Sequence, residues 1–251
     1  MKKLLLAMSI LLFSIYSWAH DATENRIAIE PEVQGSYNAG MIAYSFQLFD
    51  GQSNKSLTNK DLALTQTKIL HFITYDPSRS EFRHVHPAFN GKVWSVDLNL
   101  LVNGYYFLWA QGQLIDGTEF STYTKAQIMN GKPEIPVTPL KEKRKASDGM
   151  TTLELDSSKL KAGKLTMLNY KVTRLDGQNA VVTPYLGALA HVIAVSPDGD
   201  ELIHIHPMAG SSASTGMVHA TFPTEGDYRI WIQLIDRGEL RTIPLSVVVS
   251  K

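Results

Sequence analysis

The sequence predicts an all-β protein built as two tandem immunoglobulin-like β-sandwich domains from an internal repeat. Three observations predict it. Short stretches rich in Val, Ile, Tyr, Phe and Thr recur along the chain, turn signals such as Asp-Gly, Asn-Gly and Glu-Gly separate them, and one unit is written twice. The strand-like stretches include Met41 to Phe49, Ile69 to Tyr75, Leu165 to Thr173, His191 to Val195, Tyr228 to Ile235 and Ile243 to Val249. About seven short strands per 100 residues suits a sandwich, with a small barrel as the alternative. A helix is expected only over Ser56 to Thr67.

The repeat is an ordered series of matches. Asp50-Gly51-Gln52 pairs with Asp176-Gly177-Gln178, and His71 with His191. His84-Val85-His86-Pro87 pairs with His204-Ile205-His206-Pro207. Gly104, Tyr106 and Trp109 then pair with Gly226, Tyr228 and Trp231, and Leu114-Ile115-Asp116 with Leu234-Ile235-Asp236. His71 precedes His84 by 13 residues, as His191 precedes His204. Chance does not keep such an order. The domain reading follows: a signal peptide over 1–19, a first sandwich over 20–130, a linker over 131–149 and a second sandwich over 150–251. The linker carries Pro133, Pro136 and Pro139, then the charge run Lys141 to Lys145.

Export is read from the first residues. Lys2 and Lys3 precede an apolar core from Leu4 to Ile15, and Ser17-Trp18-Ala19 supplies small residues at the positions a signal peptidase reads. The expected location is the periplasm or beyond, with a mature form that does not span a membrane. The 251-residue chain has no cysteine, so it folds without disulfides. Blue-copper sites, zinc ribbons, iron–sulfur clusters and cysteine nucleophiles are excluded for the same reason. Formal net charge is zero and no basic face stands out, which argues against a nucleic-acid partner.

The candidate chemistry lies in the histidines. In the second copy, His191 opens one strand and His204 and His206 lie on the next, with Pro197-Asp198-Gly199-Asp200 between. Asp-Gly signals a tight hairpin. Centring the turn there sets His191 opposite His206, and alternation puts His204 and His206 on one face. Paired residues across a ladder share a face, so all three imidazoles project together. The first copy repeats the arithmetic with His71, His84 and His86 around Asp76 to Ser80. A one-residue difference in turn length would have split the set between faces. Two sites result, His71/His84/His86 and His191/His204/His206, each a candidate for a transition metal ion, copper first and zinc second.

Other readings compete. The His-x-His-Pro segments could serve packing alone. The cupin fold also uses His-x-His, but it places a Glu soon after the pair and a His later; neither follows here. Cleavage after Ala19 would leave His20 as a mature N-terminus able to chelate copper through its amine and ring. His219, Met208 and Met217 could supplement the second site.

The segment Tyr185-Leu186-Gly187-Ala188-Leu189-Ala190-His191, followed by Leu202-Ile203-His204-Ile205-His206-Pro207, resembles a domain of uncharacterised bacterial secreted proteins with a Tyr-Leu-Gly-Ala…His…Leu-x-His-x-His-Pro pattern. That resemblance implies association with heavy metals, copper above all. The first copy lacks Tyr-Leu-Gly-Ala. The functional expectation is a periplasmic metal-binding protein for storage, delivery or resistance, partnered by the ion and by another exported or membrane metal-handling protein. The alternatives are a non-metal immunoglobulin-like interaction module and a metal-dependent enzyme. Catalysis is disfavoured, because no general base stands beside either trio.

Overall fold

A computed structural model describes residues 26–65, 67–205 and 214–251, with the side chain of His204 outside the description. The signal-peptide stretch and His20 therefore lie outside the described residues, as do His206 and Met208. Among the described residues, ten strands make the first repeat: β1 (Ile27–Pro31), β2 (Ser36–Asn38), β3 (Gly40–Asp50), β4 (Lys55–Leu57), β5 (Leu70–Tyr75), β6 (Phe82–Val85), β7 (Ala88–Phe89), β8 (Trp94–Leu100), β9 (Gly104–Gln113) and β10 (Glu119–Met129). Ten more make the second: β11 (Lys145–Asp148), β12 (Thr151–Leu155), β13 (Leu160–Lys161), β14 (Leu165–Arg174), β15 (Val182–Thr183), β16 (His191–Val195), β17 (Leu202–Ile205), β18 (Thr215–Thr221), β19 (Gly226–Asp236) and β20 (Glu239–Ser250). No helix occurs among the described residues, and so none that could cross a membrane.

Strand order makes each repeat an immunoglobulin-like sandwich. In the first, β1-β3-β8-β7 faces β2-β10-β9-β5-β6; in the second, β11-β12-β14-β18 faces β13-β20-β19-β16-β17. Both repeats tuck a short strand parallel to the last one, β2 on β10 and β13 on β20, while the other named pairings are antiparallel. The repeated motifs hold repeated corners. Asp50 accepts from the Gln52 N–H at 2.9 Å, and Asp176 from the Gln178 N–H at 3.0 Å. Gly104 and Gly226 open β9 and β19 at φ 120° and 128°, a backbone that needs glycine. Two residues later Tyr228 donates its hydroxyl to the Thr224 carbonyl at 3.1 Å, a tyrosine corner.

The helix expected over Ser56 to Thr67 is corrected. Its start signal is real: Asp61 accepts from the Thr58 N–H at 2.8 Å and from the Thr58 hydroxyl, and the Asp61 N–H closes one turn onto the Thr58 carbonyl. The turn does not propagate. Ala63 instead bonds the Gln113 carbonyl, Leu62 bridges Leu114, and Leu57 and Leu62 are drawn into the core. Burial of those two leucines outweighs local helix propensity. In the stretch read as linker, Lys145 to Asp148 form β11, hydrogen-bonded to β12.

Three cores result. One fills the first sandwich around Tyr44, Phe46, Phe72 and Trp94, and one fills the second around Leu153, Phe222, Tyr228 and Leu245. The third lies between the repeats, where Ile73, Tyr75, Phe82, Phe107 and Trp109 meet Ile193, Val195, Leu202 and Trp231. This explains why every residue of β5 and β16 is buried. Even-numbered side chains of β5 such as Phe72 enter their own sandwich, and odd-numbered ones such as Ile73 face the other repeat. Phe82 stacks on Trp231 with ring centroids 4.4 Å apart. The Tyr75 hydroxyl donates to the Gly199 carbonyl at 2.7 Å while accepting from Trp109 Nε1 at 2.8 Å. The Arg79 guanidinium donates across to the Ser196 and Asp227 carbonyls, each at 3.2 Å.

Candidate metal centre

Both histidine hairpins have the register read from the sequence. Ile73 pairs His84 in the first, and Ile193 pairs His204 in the second. Continuing the first ladder by two residues sets His71 against His86; in the second, His206 lies outside the described residues. The turns differ in chemistry but agree in length. Asp76 gathers the N–H groups of Ser78, Ser80 and Glu81, with Arg79 at φ 59°. Ser196 takes the corresponding place, bonding the Asp198 carboxylate and accepting from the Glu201 N–H at 3.0 Å, with Gly199 at φ 82°. The Asp76 and Asp198 carboxylates thus serve the turns.

In the first repeat the expected trio converges. His71, His84 and His86 each offer a ring nitrogen, all within 4.8 Å of one another. His71 Nδ1 and His84 Nε2 are 3.1 Å apart. Two nitrogens roughly 2 Å from one ion would be separated by about this distance. His86 Nε2 is buried and has no hydrogen-bond partner among the described residues. No carboxylate joins this group among the described residues.

Burial fixes the protonation. It pushes His71 down to about 4 and His86 to about 3, with the neighbouring rings and Lys68 adding to the effect. His84, buried beside His71 and His86, is held well below the ordinary imidazole range. The rings are therefore neutral at neutral pH, the form that binds metal. A donor set of three uncharged imidazoles around one point fits a divalent or monovalent transition ion.

Each leading histidine is also anchored from behind. His191 Nε2 lies 2.9 Å from the carbonyl of Tyr185, six residues earlier. His71 has the backbone of Thr65, also six residues earlier, as a hydrogen-bond partner. Tyr185 and Ala188 close a tight turn through two mutual backbone hydrogen bonds, and Thr65 and Lys68 do the same. The Tyr-Leu-Gly-Ala segment is thus a turn that presents a carbonyl to the histidine. The first repeat makes the same turn from other residues.

The second set is placed in part. His191 is fully buried, with its ring centroid 6.4 Å from that of His71 and 5.8 Å from that of His84. Tyr185 meets it edge-on. The backbone of His204 lies in β17, but its side chain and all of His206 are outside the described residues. His219 sits on β18 in the opposite sheet of its sandwich, paired with Met167. His191 of the second repeat thus stands beside His71 and His84 of the first, an arrangement that a reading of two separate sites did not anticipate.

Two glutamines also escaped that reading. Gln111 lies opposite His71 on β9, and Gln233 opposite His191 on β19. Each anchors its amide nitrogen on a hydroxyl of the next strand, Gln111 on Ser121 at 2.8 Å and Gln233 on Thr242 at 3.0 Å. Gln233 Oε1 lies 2.8 Å from His84 Nδ1 of the other repeat. Gln111 Oε1 is buried without a partner among the described residues. The signal was present as Trp109-Ala110-Gln111 matching Trp231-Ile232-Gln233.

Fold and site together define a tandem immunoglobulin-like β-sandwich with a buried histidine cluster where its repeats meet. Residues 145–251 match the model of a domain of unknown function, DUF8832, which covers the second repeat. No curated protein matches the chain. Similar solved structures include fibronectin(III)-like modules of Clostridium thermocellum CbhA, 13% identical, covering 89% of this chain and 94% of that one at a TM-score of 0.25. The titin Ig tandem domains A164-A165 are 12% identical, covering 90% and 97% at 0.25. The Escherichia coli adhesin FdeC is 11% identical, covering 90% of this chain and 64% of that one at 0.29.

Proposed function

We propose that the protein binds a transition metal ion, copper first and zinc second, through His71, His84 and His86, and acts in the storage, delivery or resistance of that metal outside the cytoplasm. The observation that carries this is three ring nitrogens within 4.8 Å of one another. A proton can bridge one pair of nitrogens, whereas an ion satisfies all three at once. His191, His204 and His206 are the matching candidates of the second repeat, and the sequence repeat supports them. Three protein ligands leave a further coordination position for transfer to a partner, which would be another exported or membrane metal-handling protein. The export reading rests on the N-terminal sequence pattern.

Untagged protein should retain close to one or two equivalents of copper or zinc after loading and desalting, as measured by elemental analysis. His84→Ala should remove the first equivalent. Retention below a small fraction of one equivalent for either ion would refute the reading and leave an interaction module.

A further inference from the structure

We infer that the first-repeat metal centre is completed by the second repeat, with Gln233 as the positioning residue that commits His84 to bind through Nε2. This rests on the metal reading above and adds a determinant that lies outside the three ligands.

A carboxamide oxygen only accepts hydrogen bonds. Gln233 Oε1 stands 2.8 Å from His84 Nδ1, so the proton of neutral His84 sits on Nδ1 and Nε2 carries the lone pair. That lone pair points toward His71 Nδ1, 3.1 Å away. The tautomer is thus chosen from 149 residues further along the chain.

Gln233 is itself held. It is buried, its amide nitrogen is tied to the Thr242 hydroxyl, and it lies on β19 between β16 and β20. Its oxygen therefore has a fixed position that His84 meets only when the repeats are docked. Phe82, two residues before His84, makes the adjoining dock by stacking on Trp231, two residues before Gln233. The β6 edge that presents His84 is thus clamped to β19 at two successive same-face positions. Outer partners of this kind orient imidazole ligands and raise their basicity. By linkage, an ion at the trio must also tighten the junction.

The test uses the full-length protein. In metal-free wild type, nitrogen-15 NMR of labelled histidine should show His84 protonated at Nδ1; protonation at Nε2 would overturn the inference, and this readout needs no substitution at Gln233. In competition titrations with zinc, and with copper(II), Gln233→Leu should bind about ten- to a hundredfold more weakly than wild type. Gln233→Glu keeps an acceptor in place and should restore binding to within about threefold of wild type, a rescue that a purely packing role would not produce. Wild-type affinity in Gln233→Leu would overturn the inference. Failure of wild type to bind either ion would sink the metal reading instead, while the tautomer still decides the role of Gln233.

Discussion

At the residue scale, the buried imidazoles make an energetic statement as well as a chemical one. Burial holds His71 near 4 and His86 near 3, while the same groups in an unfolded chain titrate near 6.5. Between those values the unfolded chain binds protons that the folded chain refuses. Their contribution to stability is therefore complete above about 6.5 and is lost as pH falls through that window, at up to about 1.4 kcal/mol per pH unit for each group. The metal-free protein should unfold at a clearly lower urea concentration at pH 5.0 than at pH 7.5, and His71→Phe should flatten the difference. An equal midpoint at both pH values would contradict the burial of these rings. The histidine cluster was legible because histidine is uncommon and its spacing recurs. The two glutamines were not, because a strand glutamine reads as an exposed polar residue until its cross-repeat partner is known.

At the element scale, the hairpins show how little is needed to aim three side chains. Alternation and a four-residue loop, Pro77 to Ser80 or Pro197 to Asp200, set the faces, and the observed ladders agree with the register read from sequence. The loops differ in what enforces them, the Asp76 carboxylate in one and a glycine in the other. Gly199 adopts φ 82°, but an added Cβ would meet only Phe107 at 3.6 Å, an ordinary contact. Gly226 adopts φ 128°, and an added Cβ would fall 2.5 Å from Pro197, whose ring cannot swing aside. Thermal melts should therefore rank the two: Gly199→Ala costs about 1 kcal/mol, and Gly226→Ala costs more than about 2 kcal/mol. The reverse order would contradict the close approach of Pro197 to Gly226. The helix expected at Ser56 to Thr67 failed at this scale. Its capping chemistry is visible locally, whereas the core positions awaiting Leu57 and Leu62 are not.

At the scale of the whole molecule, the junction between the repeats is a third core, and the histidine cluster lies at its edge. Trp231 stands at its middle, against Phe82 and within 6.0 Å of the Tyr75 ring. Trp231→Ala should cost about 3–5 kcal/mol and weaken metal binding together with stability, since it removes packing next to Gln233 and His84. Reciprocally, loading wild type with copper or zinc should raise its melting temperature, and raise it less in Trp231→Ala. Equal gains in the two proteins would show that the cluster and the junction act independently.

The sequence alone determined the repeat, the β class, the hairpin registers and the trio His71, His84 and His86, because each depends on neighbours within about fifteen residues or on a pattern written twice. Only the tertiary structure decided that His191 stands beside His71 and His84 and that Gln233 reaches His84. Near-continuous apolar runs such as His191 to Val195 do announce strands buried on both sides. They do not say what covers the second face, because docking depends on the shape and polarity match of surfaces formed by residues more than a hundred positions apart.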